Sequence, residues 1–367
     1  MFTGLKVLEL ASVLAGPSAG QFFAELGAEV IKVENRKTGG DVTRTWKGAG
    51  EKTDDRSAYF CSVNWGKKSI ALDLANVQDQ EIVRKLALRS DIIIASFKPG
   101  DAEKLGVSYA QIRGERPIIY GQITGYGSAN DRVGYDAVLQ AETGFMDLNG
   151  EANGPPIKMP VALIDLLAAH QLKEGLLLAL LKKEKTGQGS FVEVSLIQSA
   201  VASLANQATN WLVGRVLPVR QGSSHPNIAP YGDWFETKDG KRVLLAVGND
   251  RQFADLSNVL KLNLMNDENF NTNQKRVKNR LALNEILRRE IISKNSSAIL
   301  EEMHRNKIPA GLIRNVEEVF DIPEVKALLM RADGITGVRS FVGRETNSPL
   351  LPPPHFGEHT DEILRLL

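Results

Sequence analysis

The stretch GLKVLELASVLAGPSAGQFFAELGAEVIKVE, residues 4–34, decides the fold. Lys6–Leu10 (KVLEL) is strand-like, and a loop containing Gly16 and Pro17 follows it. Ser18–Leu26 carries a helix pattern that ends at Gly27, and Val30–Glu34 (VIKVE) is the next β-rich run. A strand, a helix and a second strand in so short a span form a parallel crossover unit. The pattern recurs downstream. Ser69–Leu74 is strand-like, Val77–Ser90 helical, and Asp91–Ala95, Pro117–Ile123 and Ser190–Ser195 strand-like again. Short β-rich runs alternating with helices predict a parallel α/β sheet. Ligands of such sheets bind beyond the carboxyl ends of the strands. The first strand–helix turn is not G-x-G-x-x-G, and no Walker A sequence occurs, which weighs against dinucleotide redox chemistry and nucleotide hydrolysis.

After the strand at 190–195 a helix pattern continues through Leu212. Arg220–Gly232 (RQGSSHPNIAPYG) reads as a connector or binding loop. Gly232–Val247 looks like a hairpin turning at Lys238-Asp239-Gly240. Residues 251–306 are helical and polar, with Lys275–Arg289 as a solvated helical face. From Ile308 the α/β pattern returns, and the proline-rich Leu350–Pro354 leads into a helix at Thr360–Leu367. The expected organisation is a large α/β domain at 1–213, a linker and small α+β domain at 214–307, and a segment at 308–367 returning to the large domain.

The 367 residues carry a formal net charge of +1, with 43% hydrophobic and 24% charged residues. That is the balance of a soluble globular protein, and it offers no electrostatic case for nucleic acid or an anionic membrane. The opening MFTGLKVLEL lacks the basic-then-apolar layout of a signal peptide, and no apolar run is long enough to span a bilayer. One cysteine, Cys61, excludes intramolecular disulfides and agrees with a reducing cytoplasm. In AYFCSV it reads as a buried inert thiol. No Cys/His cluster has metal-ligand spacing. His355 and His359 are four apart, but Pro352–Pro354 argues against a helix presenting both.

Asp165 is the singular residue of the chain. It follows a short apolar run and precedes a long apolar helix that runs into Lys182, Lys183 and Lys185 and stops at Thr186-Gly187. The pattern places it at or near the N-cap, where unpaired N–H groups favour the ionised carboxylate. Such a carboxylate is either a structural cap or a nucleophile held where negative charge is stabilised. Position alone leaves both open.

Several segments together resemble the family III CoA-transferases (CaiB/BaiF), a group that includes formyl-CoA transferases and α-methylacyl-CoA racemases. They are residues 4–34, GGDVTR (39–44), NWGKKSIALDL (64–74), FKPGDAEKLG (97–106), GYDAVLQAETG (134–144), KTGQGSFVEVSL (185–196) and GEHTDEIL (357–364). Their order is that of the family, and they span essentially the whole chain. The resemblance implies a Rossmann-like large domain plus a small α+β domain in an interlocked homodimer. It implies that Asp165 is the nucleophile, that acyl-CoA and a free carboxylic acid are the substrates, and that no prosthetic group or metal is needed. Leu14 and Ala15 then fall where the family contacts pantetheine, and Leu72, Asp73, Phe97 and Lys98 around the adenosine. Lys104, Arg36 and Lys37 become phosphate candidates, while Asn35 stands where the family usually has a basic residue. Tyr135 and Asp136 match an aromatic–acidic pair beside the catalytic carboxylate. Gly222 and His225 fall in what resembles a mobile loop over the intermediate.

Two departures narrow the reading. Racemases of the superfamily carry His-Asp where this chain has Tyr135-Asp136, so one of their two acid/base groups is missing. Formyl-CoA:oxalate enzymes carry Gln where this chain has Leu14, and an apolar residue there argues against a substrate as small as oxalate. The expected activity is CoA transfer between an acyl-CoA and a carboxylic acid. The alternatives are a racemase-like isomerase and a non-catalytic CoA-binding protein.

Overall fold

The structure, a computed structural model, describes residues 1–114, 116–343 and 349–367. Two compact units are formed. The larger comprises residues 1–143, 159–205 and 326–367. It is built on a six-stranded parallel sheet: β1 (Lys6–Leu10), β2 (Glu29–Asn35), β3 (Lys67–Leu72), β4 (Ile92–Ala95), β5 (Ile119–Thr124) and β6 (Ser190–Ser195). The strand order is β3-β2-β1-β4-β5-β6. Order reverses between β1 and β4, whose last residues Leu10 and Ala95 lie opposite each other. That reversal opens a crevice at the carboxyl ends of the two strands.

Strand residues alternate between two covered faces, and the central strand β4 is apolar throughout. Ile92, Ile93, Ile94 and Ala95 are all fully buried. On one face Leu8, Leu10, Ile70, Leu72, Ile93 and Ala95 pack with Val83 and Leu86 of helix Val77–Leu88 and with Ile363 of the C-terminal helix Thr360–Arg365. The other face meets helix α1 (Ala15–Glu25) so closely that a Cβ on Gly20 would lie 1.8 Å from Glu9 Oε2. The expected loop at Gly16-Pro17 is therefore helix. Both residues sit in the first turn, where the missing N–H of proline costs no hydrogen bond. The long helix, α2 here (Leu163–Thr186), ends as expected at a left-handed Gly187. It is apolar around much of its circumference, and Leu178 is 68% exposed. Among the described residues, no helix is long and apolar enough to cross a membrane.

The smaller unit comprises residues 144–158 and 206–325. Its antiparallel sheet has the order β7 (Tyr231–Glu236), β8 (Arg242–Ala246), β9 (Ala310–Leu312). Phe235, Val243 and Leu245 pack against Phe253, Leu283, Leu287 and Met303 from amphipathic helices. The expected return to the large unit at Ile308 is displaced. β9 bonds to β8, so the chain stays in the small unit through Val325 and resumes the large one at Lys326. The helix Asn206–Leu212 also groups with the small unit. A strand-like run such as IPAGLI reveals its type and not its partner.

Candidate active site

Asp165 is the third residue of α2, not its cap. Ala162 occupies the cap position and supplies no side-chain bond. The capping acceptor comes instead from Asp136, first residue of the helix Asp136–Glu142. Its Oδ1 accepts the Ile164 N–H at 2.7 Å, and its Oδ2 accepts from Gln140 Nε2 at 2.7 Å. Asp136 thus satisfies a helix end and leaves the Asp165 carboxylate unused. Among the described residues, Asp165 has no hydrogen-bond or ion-pair partner, and it is 9% exposed. Burial, together with the negative charge of Asp136, pushes its pKa up to about 7. The expectation that a helix end would keep it ionised is therefore corrected. Desolvation and a like charge outweigh the first-turn dipole.

Asp165 lies on the wall of a cavity of about 290 Å³ with Ser12, Val13, Leu14, Ala15, Phe97, Lys98, Tyr135 and Leu196. A second cavity, of about 450 Å³, is lined by Asn35, Lys37, Asp73, Leu74 and Leu105 among others. The two share Ser12, Ser96 and Phe97, which directly follow β1 and β4. Together they occupy the switch-point crevice. Lys37 pairs with Asp73 at 2.9 Å and holds its carboxyl below the usual range.

Leu14, Ala15, Phe97, Lys98, Tyr135 and Asp165 are thus brought to one cavity, and Asp73 with Phe97 to the other. Four expected residues are not among these walls. Leu72 is fully buried on the core face of β3. The Arg36 guanidinium donates to the Ala71 carbonyl at 2.9 Å. Lys104 pairs with Asp101 at 3.2 Å, its side chain 76% exposed. Asp136 is engaged as described. Gly222 and His225 belong to the small unit, where Gly222 N–H donates to the Gly150 carbonyl and His225 N–H to that of Tyr231.

Tyr59 escaped the sequence reading. It lies on the short helix Ala58–Cys61, half-buried and edge-on to Trp46 at 5.2 Å between ring centroids. Burial raises its pKa, and so do the charges of Asp165, Asp136 and Asp41, so the phenol stays protonated. Its only sequence signal was the AYFCSV run that drew attention to Cys61. The Cys61 thiol is buried and pushed up to about 11, which makes it a poor nucleophile. His355 meets Asp54 and Asp55 rather than His359. Those carboxylates are already engaged by Arg56 and Arg44.

A parallel sheet with a two-part crevice at its switch point, and a buried, unpaired carboxylate on the crevice wall, define an α/β protein with a ligand cleft beyond the carboxyl ends of its strands. The family model of CoA-transferase family III matches residues 2–360, and the chain belongs to that family. It is a CoA-transferase, acting between an acyl-CoA and an acid. A succinate–glutarate CoA-transferase of Agrobacterium fabrum is 37% identical over 99% of this chain and 94% of its own length. A human succinyl-CoA:glutarate CoA-transferase is 37% identical over 99% of this chain and 85% of its own. The crystal structure of a CaiB/BaiF family protein from Brucella suis superposes with a TM-score of 0.87 at 37% identity, covering 100% of this chain and 98% of that one.

Proposed function

We propose that Asp165 carries CoA between a short dicarboxylic acyl-CoA and a free dicarboxylate. The ionised Asp165 attacks the thioester carbonyl, and the C–S bond breaks to give a mixed anhydride and CoA thiolate. The thiolate attacks the aspartyl carbonyl of that anhydride. This releases the first acid as a carboxylate and leaves CoA as a thioester on Asp165. The incoming carboxylate attacks this thioester and displaces the thiolate, which then attacks the incoming acyl carbonyl. The products are the new acyl-CoA and the original Asp165 carboxylate. Each step exchanges one activated acyl group for another, so no external energy source or redox partner is consumed.

The observation that carries this reading is the partnerless, buried Asp165 on the wall of the switch-point crevice. Burial raises its basicity, and a more basic carboxylate is a better nucleophile once ionised. Apolar side chains such as Leu14 and Phe97 share the wall with polar ones such as Lys98, Asn130 and Arg132, and a bound acyl-CoA would itself displace the water that hydrolyses both intermediates. Dicarboxylate substrates are supported by the succinate–glutarate relatives, and Leu14 beside Asp165 agrees with an acid larger than oxalate. The racemase reading is disfavoured because, among the described residues lining this cavity, none is a histidine. The same proposal includes a homodimer in the cytoplasm. The apolar side chains left outward on α2 and the single buried thiol support it.

Succinyl-CoA with hydroxylamine, followed by mass mapping, tests the mechanism. The expected product is a hydroxamate at Asp165. An adduct elsewhere, or none with succinyl-, glutaryl- and other acyl-CoAs, sinks it.

A further inference from the structure

Val13 has a φ of 71°, in the left-handed region. For a β-branched residue that is a true outlier, and outliers of this kind point to function. The strained residue sits in the loop that supplies Ser12, Leu14 and Ala15 to the Asp165 cavity. The loop and the first turn of α1 that follows it are gripped at three main-chain points. The Val13 N–H points at the Asp41 carboxylate, 3.3 and 3.2 Å from its two oxygens. Lys32 donates to the Ala11 carbonyl at 2.7 Å, and Lys67 to that of Pro17 at 2.8 Å. The gripping side chains form one buried set. Lys32 pairs with Asp41 at 2.9 Å and with Glu9 at 3.0 Å, and Lys67 pairs with Glu9 at 2.8 Å. Two cations and two anions balance there. Buried ion pairs of this sort add little stability over apolar packing, so their geometry is the better explanation of their presence.

We infer that Asp41 is a positioning residue for the transfer reaction, holding Val13 in its left-handed conformation and so setting the Ser12–Ala15 wall beside Asp165. Asp41 is well placed to do this. Besides Lys32 and Val13, it accepts from Thr43 N at 3.1 Å and from Thr43 Oγ1 at 2.8 Å. A carboxylate pinned from three sides moves little, and neither does the amide bonded to it.

The inference rests on Asp165 being the reacting group, which Asp165→Asn tests on its own. The discriminating experiment is a double-mutant cycle of Asp41→Ala with Val13→Gly, read as kcat for CoA transfer and, separately, as binding of free CoA. Asp41→Glu serves as a second variant, because it keeps the buried charge balance and shifts only the acceptor. Misplacing the wall by about 1 Å is expected to lower kcat by ~10- to 100-fold in both Asp41 variants, with free CoA still bound. In the Val13→Gly background the same Asp41 substitutions should cost several-fold less, because glycine holds a positive φ unaided. An Asp41→Glu enzyme with unchanged kcat overturns the inference. So does a kcat loss that is equally large in the Val13→Gly background.

Discussion

Two sets of buried carboxylates lie at the same end of one sheet and behave in opposite ways. Asp41 is even less exposed than Asp165, 5% against 9%. Burial opposes its ionisation too, but the Lys32 ammonium and the Thr43 donors overcome it and hold its carboxyl below the usual range. Asp165 has Asp136 nearby and, among the described residues, no cation paired with it, and burial with that like charge raises its pKa to about 7. The difference lies in partners, not depth. A carboxylate with all its lone pairs spoken for is a structural part. One kept unpaired in a crevice retains its reactivity, at a cost in stability that the surrounding core must offset.

The comparison breaks first at Asp165. Asp165→Asn should lower CoA transfer by ~10³-fold or more, since it removes the atom to which the acyl group and CoA would be bound. Steady-state transfer from succinyl-CoA checks this, and a variant within tenfold of the parent refutes it. The Asp41 set responds differently. Lys32→Met leaves Asp41 buried without its cation, and loss of one partner of a buried pair costs about 3–5 kcal/mol. Urea unfolding should register a loss of that order. A loss under 1 kcal/mol would mean that the pairing contributes nothing the loop needs.

The two regions also separate by pH. Asp165 titrates near 7 in the folded chain against 3.8 ordinarily. Between those values the folded state binds more protons than the unfolded one, so stability falls as pH rises. The contribution is fully present below about pH 4 and lost above about pH 7. At ~1.4 kcal/mol per pKa unit, it amounts to about 4 kcal/mol. Asp165→Asn should flatten the stability profile over this range by that order, gaining most on the parent at pH 8. Activity runs the other way, because only the ionised carboxylate attacks. kcat/KM should fall about tenfold per pH unit below 7. A rate that is flat from pH 5 to 8 breaks the assignment of the group.

The crossover pattern of residues 4–34 was legible because apolar periodicity is a local property. Asp165 was legible as a singular carboxylate for the same reason, and its proposed role came from the order of motifs along the chain. Its electrostatics were not legible. They depend on Asp136, which is close only after the 136–142 helix docks against the start of α2, and which took over the capping role expected of Asp165. The Val13–Asp41 contact spans 28 residues, and nothing in the valine itself announces a positive φ. Leu72 was misplaced because a motif match assigns a segment to a site, whereas strand alternation decides which of its residues faces the ligand.

The smallest expected effect concerns two lysines that the motifs treated alike. Lys37 lies on the wall of the larger cavity, paired with Asp73, and an anionic ligand entering there would meet it. Lys104 is similarly exposed and paired, with Asp101 three residues earlier, but lies outside both cavity walls. Solvent and a paired carboxylate screen both charges, so the distance to a bound anion decides between them, and only Lys37 stands on a cavity wall. Lys104→Ala should therefore change the KM for acyl-CoA by less than about twofold, and Lys37→Ala by more, with the larger effect shrinking as salt is raised. Equal losses from the two would move the phosphate end of the crevice toward Lys104 and redraw the boundary of the site.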